Sequence, residues 1–132
     1  MLPTYSWDFE TLTQSPTRVW AWSQVGVFNY SDVTTGNSIE SFITEVSRHS
    51  CKGFFHNLKF DGEFIISYLL KNGFTHVLSS KKMQPKTFNI LMSDMGQLYK
   101  IIICFHKTVR VEINDSLKLL PFKVEKIAKD FD

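Results

Sequence analysis

At 132 residues the chain is long enough for one domain and too short for two of ordinary size. Its hydrophobic content of 43%, including 12 Phe, 4 Tyr and 3 Trp, excludes a disordered tail and supports a packed core. A net charge of only +2 excludes a coat protein that binds nucleic acid through its whole field, so any such contact must come from a local cleft.

In chain order, Tyr5–Glu10 is short and aromatic and runs into Thr-rich polar residues, which predicts a strand ending in a turn. Arg18–Asn29 has period two, with Val19, Ala21, Ser23, Val25 and Val27 on one face and Trp20, Trp22 and Phe28 broadly on the other. That is a long second strand, with Trp20 and Trp22 expected in the core. Ser31–Thr35 follows as a third. Ser38 caps a helix whose Ile39, Phe42, Ile43 and Val46 recur at helical spacing, ending near His49–Gly53. Gly53–His56 reads as a buried strand. Phe60–Leu70 reads as a second helix with Phe60, Phe64, Ile65, Tyr68 and Leu69 inward, stopped by Asn72-Gly73.

A polar loop, Ser79–Pro85, comes next. Lys81, Lys82 and Lys86 form a solvated charge group there or reach phosphates. Thr87–Met92, Leu98–Phe105 and Val109–Ile113 are three further strands, while His49, His76 and His106 fall at surface or turn positions. The segment Ser116–Phe131 is amphipathic but interrupted by Pro121, which predicts a turn and then a short helix. One domain over residues 1–132 is expected, an α/β sandwich with a mixed central sheet.

Cys51 and Cys104 supply neither a disulfide framework nor a metal-ligand spacing, so buried thiols in a reducing compartment are expected. With no basic-then-apolar leader and no run of ~18 apolar residues, the expectation is an intracellular protein that does not span a membrane.

Two segments carry chemistry. In Asp8-Phe9-Glu10 the carboxylates are two apart on a strand, so they share a face while Phe9 points the other way. Held together they repel unless a cation joins them, and hard divalent ions such as Mg²⁺ or Mn²⁺ take such oxygen ligands. A third carboxylate, Asp61, opens a helix at a neighbouring strand's exit. It would complete a site for two metals ~3.5–4 Å apart, suited to in-line displacement at phosphorus. Taken singly, an Asp-x-Glu on a strand is ordinary surface charge, and Asn57 and Asp61 are ordinary helix-opening residues. Their joint occurrence, each beside apolar residues, favours a site.

Tyr5-Ser6-Trp7-Asp8-Phe9-Glu10-Thr11, Arg18-Val19-Trp20-Ala21 and Phe55 through Gly62 also carry a resemblance. So do Asn72-Gly73-Phe74, Met95-Gly96-Gln97, Asp115-Ser116-Leu117-Lys118 with Leu120-Pro121-Phe122, and Lys126 through Phe131. On these residues the chain resembles the N-terminal 3′–5′ exonuclease domain of protein-primed family B DNA polymerases, the kind found in small tailed phages and linear plasmids.

The resemblance implies a ribonuclease H-like fold of the DnaQ-like exonuclease type, a mixed sheet flanked by helices. It implies catalytic, metal-binding roles for Asp8, Glu10 and Asp61 with Mg²⁺ or Mn²⁺ as cofactor. Thr11, Asn57, Phe60, Ser116 and Leu117 match residues that contact the frayed 3′ end of a single DNA strand. His56, Phe64 and Phe122 match positions near the same cleft that touch single-stranded DNA or the priming protein.

The family's third motif, Tyr-x-x-x-Asp, has no counterpart in these 132 residues. Tyr30, Tyr68 and Tyr99 are followed four places on by Thr34, Asn72 and Ile103. A truncated exonuclease domain is therefore expected, with metal binding weakened and hydrolysis weak or lost, because a missing orienting group costs ~10²–10⁴ in rate. No polymerase motif is present. The alternative is a repurposed phage or mobile-element product that binds a host protein in the bacterial cytoplasm, for instance a CRISPR effector or another defence nuclease. Self-association through an exposed sheet edge is a further expectation.

Overall fold

The computed structural model describes residues 2–12 and 17–116. Strands β1 (Thr4–Leu12), β2 (Arg18–Gly26) and β3 (Val33–Gly36) lead into helix α1 (Ile39–Val46). β4 (Cys51–Phe55) and α2 (Leu58–Lys71) follow, and then β5 (Thr75–His76), β6 (Thr87–Met92), β7 (Leu98–His106) and β8 (Val109–Asp115). The strands form one mixed sheet in the order β3-β2-β1-β4-β8-β7-β6-β5. β4 runs parallel to both β1 and β8, and the hairpins β1–β2, β2–β3, β6–β7 and β7–β8 are antiparallel.

Both helices pack on one face of this sheet. In register, Tyr5 lies opposite Gly53, Gly53 opposite Ile113 and Ile113 opposite Ile101, so these residues share a face with Trp7, Phe55 and Ile103. Phe42 of α1, fully buried, sets its ring edge-on against Phe9 at 4.8 Å, Trp22 at 5.6 Å and Trp7 at 5.8 Å. Leu58, Ile65 and Leu69 of α2 complete the same core. The two indole N–H groups beneath the helices are satisfied: Trp7 Nε1 donates to Gln24 Oε1 at 2.9 Å and Trp22 Nε1 to Ser41 Oγ at 2.8 Å. Ser38 closes a reciprocal capping box with Ser41 and so fixes the start of α1.

The strands Thr87–Met92, Leu98–Phe105 and Val109–Ile113 and both helices fall where the sequence places them, within a few residues. Other details differ, and β3 itself is shifted to Val33–Gly36. β2 stops at Gly26, not Asn29, because Gly26 N–H donates to Asp32 O and Val27 N–H to Thr4 O, which folds the chain over. β4 begins two residues early, at Cys51, and the two-residue β5 is too short to leave a pattern. Trp20 is 48% exposed although its neighbour Trp22 is core. The hairpin register explains this: Glu10 pairs with Ala21 and Thr11 with Val19, so Trp20 is the extra residue of a bulge, and Val19 turns inward in its place. Finally, Phe60, expected inward, is 64% exposed.

Cys51 and Cys104 are free and buried, as expected, and burial with the nearby Glu45 charge pushes the Cys51 thiol up to about 12. No helix among the described residues is long and apolar enough to cross a membrane. The amphipathic segment after Ser116 lies outside the described residues.

A candidate carboxylate and nucleic-acid site

β1 outruns its parallel neighbour. Its last rung with β4 joins Trp7 to Phe55, while Asp8 through Leu12 continue along β2. This overhang presents Asp8 and Glu10, both exposed, on the face opposite the buried Phe9. β4 ends at Phe55 and α2 starts at Leu58, so the helix's first turn descends beside the overhang with Asp61, half-buried, in it. Gly62 sets the depth of that turn, since a Cβ there would come within 2.7 Å of Leu98 Cδ2 on β7.

The three acids meet electrostatically. The Asp61 carboxyl is pushed up to about 7, first by burial and then by the negative charges of Asp8 and Glu10. The ion pairs among the described residues, Arg48–Glu45 and Lys100–Glu112, lie elsewhere. Among those same residues, no three His, Cys, Asp or Glu groups stand close enough to enclose a metal ion. The donor set is nonetheless all oxygen and self-repelling, which is the ligand chemistry that hard divalent cations take.

The other expected residues gather round the same end of the sheet. Asn57 precedes α2 in the left-handed conformation (φ 69°, ψ 63°), and its side chain makes no capping bond among the described residues. Phe60 and His56 are exposed beside it, and Thr11 is half-buried on the overhang. Phe55 pairs with Asp115, so half-buried Ser116 leaves β8 at the level where His56 leaves β4. Phe64 lies one helical turn beyond Phe60, half-buried. Leu117 and Phe122 lie outside the described residues. The lysines of the loop are not drawn in: Lys81 and Lys82 are exposed, and Lys86 Nζ rests 5.7 Å over the Phe74 ring. His76 stacks on Phe88 at 5.3 Å, away from the acids.

Two buried residues escaped the sequence reading. Asp115 is wholly buried at the end of β8, opposite Phe55, and Gln24 holds the Trp7 indole. Only strand register reveals either one.

The family model "DNA polymerase type B, organellar and viral" matches residues 43–132. The chain belongs to that family. The DNA polymerases of Bacillus phages PZA and phi29 are each 45% identical to it over 96% of this chain, which is 23% and 22% of their own length. That of Streptococcus phage Cp-1 is 31% identical over 94% of this chain and 22% of its own length. Solved structures of phi29 DNA polymerase, one complexed with primer–template DNA and one with single-stranded DNA, superimpose with a TM-score of 0.81 at 41% identity. Each alignment covers 99% of this chain and 24% of that chain. The polymerase family chain described here therefore spans less than a quarter of those relatives' length. The resemblance read from the motifs and the ribonuclease H-like α/β class are both those observed.

Proposed function

We propose that this chain binds the unpaired end of a single DNA strand, together with divalent metal, at the β1 overhang and the start of α2. The observation that carries this is that the charges of Asp8 and Glu10, on one stretch of chain, act on Asp61, on another, with no ion pair to any of the three among the described residues. The phi29 polymerase solved with single-stranded DNA supports the ligand class. Asp8, Glu10 and Asp61 would hold Mg²⁺ or Mn²⁺, which when bound supplies a Lewis acid and a more acidic water. Asn57 offers its amide to the strand, and exposed Phe60 offers a stacking face. With no Tyr-x-x-x-Asp among the 132 residues, these residues by themselves cleave slowly or not at all. A gel assay on labelled single strands with Mn²⁺ tests this: fast cleavage that disappears in Asp8→Ala refutes the weak-activity reading.

A second reading is favoured by the β2–β3 turn, where Phe28 (74%) and Tyr30 (80%) stand exposed away from the acids. On that reading the chain binds a host protein, such as a defence nuclease, through this aromatic turn. Inhibition of such a nuclease that survives Asp8→Ala with Asp61→Ala but fails in Phe28→Ser with Tyr30→Ser is its signature.

A further inference from the structure

A cleft of about 610 Å³ opens between the start of β2, the β3–α1 turn and the flank of α2. We propose that it is a second nucleic-acid subsite, which carries the single strand onward from the carboxylates; this rests on the single-strand reading above. Arg18 and Lys71 in its lining face one carboxylate, Glu40, so the balance favours a phosphate chain. Trp20, Phe64 and Tyr68 line it too, none of them fully buried, and aromatic faces accept any base by stacking. The bulge described above is what turns the Trp20 ring out of the core and into this cleft.

One helix, α2, runs from the site to the cleft. On α2, Asp61, Phe64, Tyr68 and Lys71 recur at helical spacing, so they form one stripe leading from the acids into the cleft. On β2, Arg18 pairs with Leu12 and Ala21 with Glu10, which places Trp20 between the tip of the overhang and its acid. From Asp61 to Lys71 the helix rises ~15 Å, the length of about four stacked nucleotides at ~3.4 Å each. Together, alternating cations and rings over that length suit a strand of several nucleotides better than a single nucleotide.

Fluorescence anisotropy with uncleavable phosphorothioate oligothymidylates tests it, using strands of roughly three and roughly twelve nucleotides to span the site sizes of single-strand binders. The longer strand is expected to bind about tenfold or more tightly than the shorter in the parent chain. Arg18→Glu with Lys71→Glu should remove most of that advantage and leave the short strand within about twofold. The slope of log affinity against log salt for the long strand should become shallower by about 1.4, at ~0.7 for each lost phosphate contact. Tyr68→Leu should weaken the long strand about fivefold and Tyr68→Phe should not, with melting curves verifying that each variant is folded. An unchanged long-strand advantage in the double variant overturns the subsite, as does equal loss in Tyr68→Phe and Tyr68→Leu. Equal parent affinity for both lengths, lost for both in Asn57→Gly, keeps the single-strand reading and removes this one. Failure of the parent chain to bind either length removes both.

Discussion

Trp7 and Phe55 form the last rung of the β1–β4 ladder, their rings 5.6 Å apart. Beyond that rung β1 leaves β4 behind, and the acids Asp8 and Glu10 stand on the overhang beside which the first turn of α2 descends. The rung is thus the hinge between a dry aromatic core and a charged cleft.

Stability should depend on pH through Asp61. The Asp61 carboxyl is raised from 3.8 to about 7, so the folded chain holds this proton more tightly than the unfolded one. Its contribution to stability is full below about pH 4, declines as pH rises, and is gone above about pH 7. In metal-free buffer, Asp61→Asn should flatten the fall in melting temperature across that window and melt higher than the parent near pH 8. A parent-like slope in the variant would assign the effect to other groups.

Divalent metal should act in the opposite direction. Mn²⁺ in large excess over its dissociation constant should raise the melting temperature by several degrees, since saturation at ~100 times Kd adds about 2.7 kcal/mol. The shift should be largest where Asp61 is ionised, vanish with chelator, and be absent in Asp61→Ala. A full shift in Asp61→Ala would remove that carboxylate from the metal site.

Asn57 separates backbone from side chain. Glycine accepts a φ of 69° without strain, whereas alanine there costs about 1–2 kcal/mol. Asn57→Gly should therefore fold as stably as the parent while losing about tenfold or more in single-strand affinity, and Asn57→Ala should lose both. Urea melts and anisotropy on the pair distinguish the two effects.

Phe42 is the keystone of the aromatic core, with ring contacts to Trp7, Phe9, Trp22 and Phe55. Phe42→Ala should cost about 3–5 kcal/mol by urea unfolding, a large fraction of the ~5–15 kcal/mol that holds a domain folded. A loss under about 1 kcal/mol would mean that the rings collapse into the space.

The elements were legible in the sequence wherever period and punctuation agreed. Ser38 with Ile39, Phe42, Ile43 and Val46 announces α1, and the apolar run of β7 between turns announces a central strand. The acidic motif on β1 and the Asn57–Asp61 turn were equally plain, because chemistry and spacing coincide there. What stayed hidden depends on pairing across the sheet. Nothing local marks Trp20 as a bulge residue, since strict alternation groups it with Trp22. Phe60 reads as a core residue from its type, but it stands two residues from both Leu58 and Gly62, off the face that α2 buries. The cleft was likewise unreadable, because it joins residues of β2, α1 and α2 that are distant in the chain.

The bulge at Trp20 also locks the hairpin against slippage. A slide of one residue between β1 and β2 would rotate the acids into the aromatic layer and turn Trp7 and Phe9 out to water. It would also force the extra residue to migrate along the strand. The same irregularity that breaks the pattern therefore guarantees which side of the ribbon carries charge.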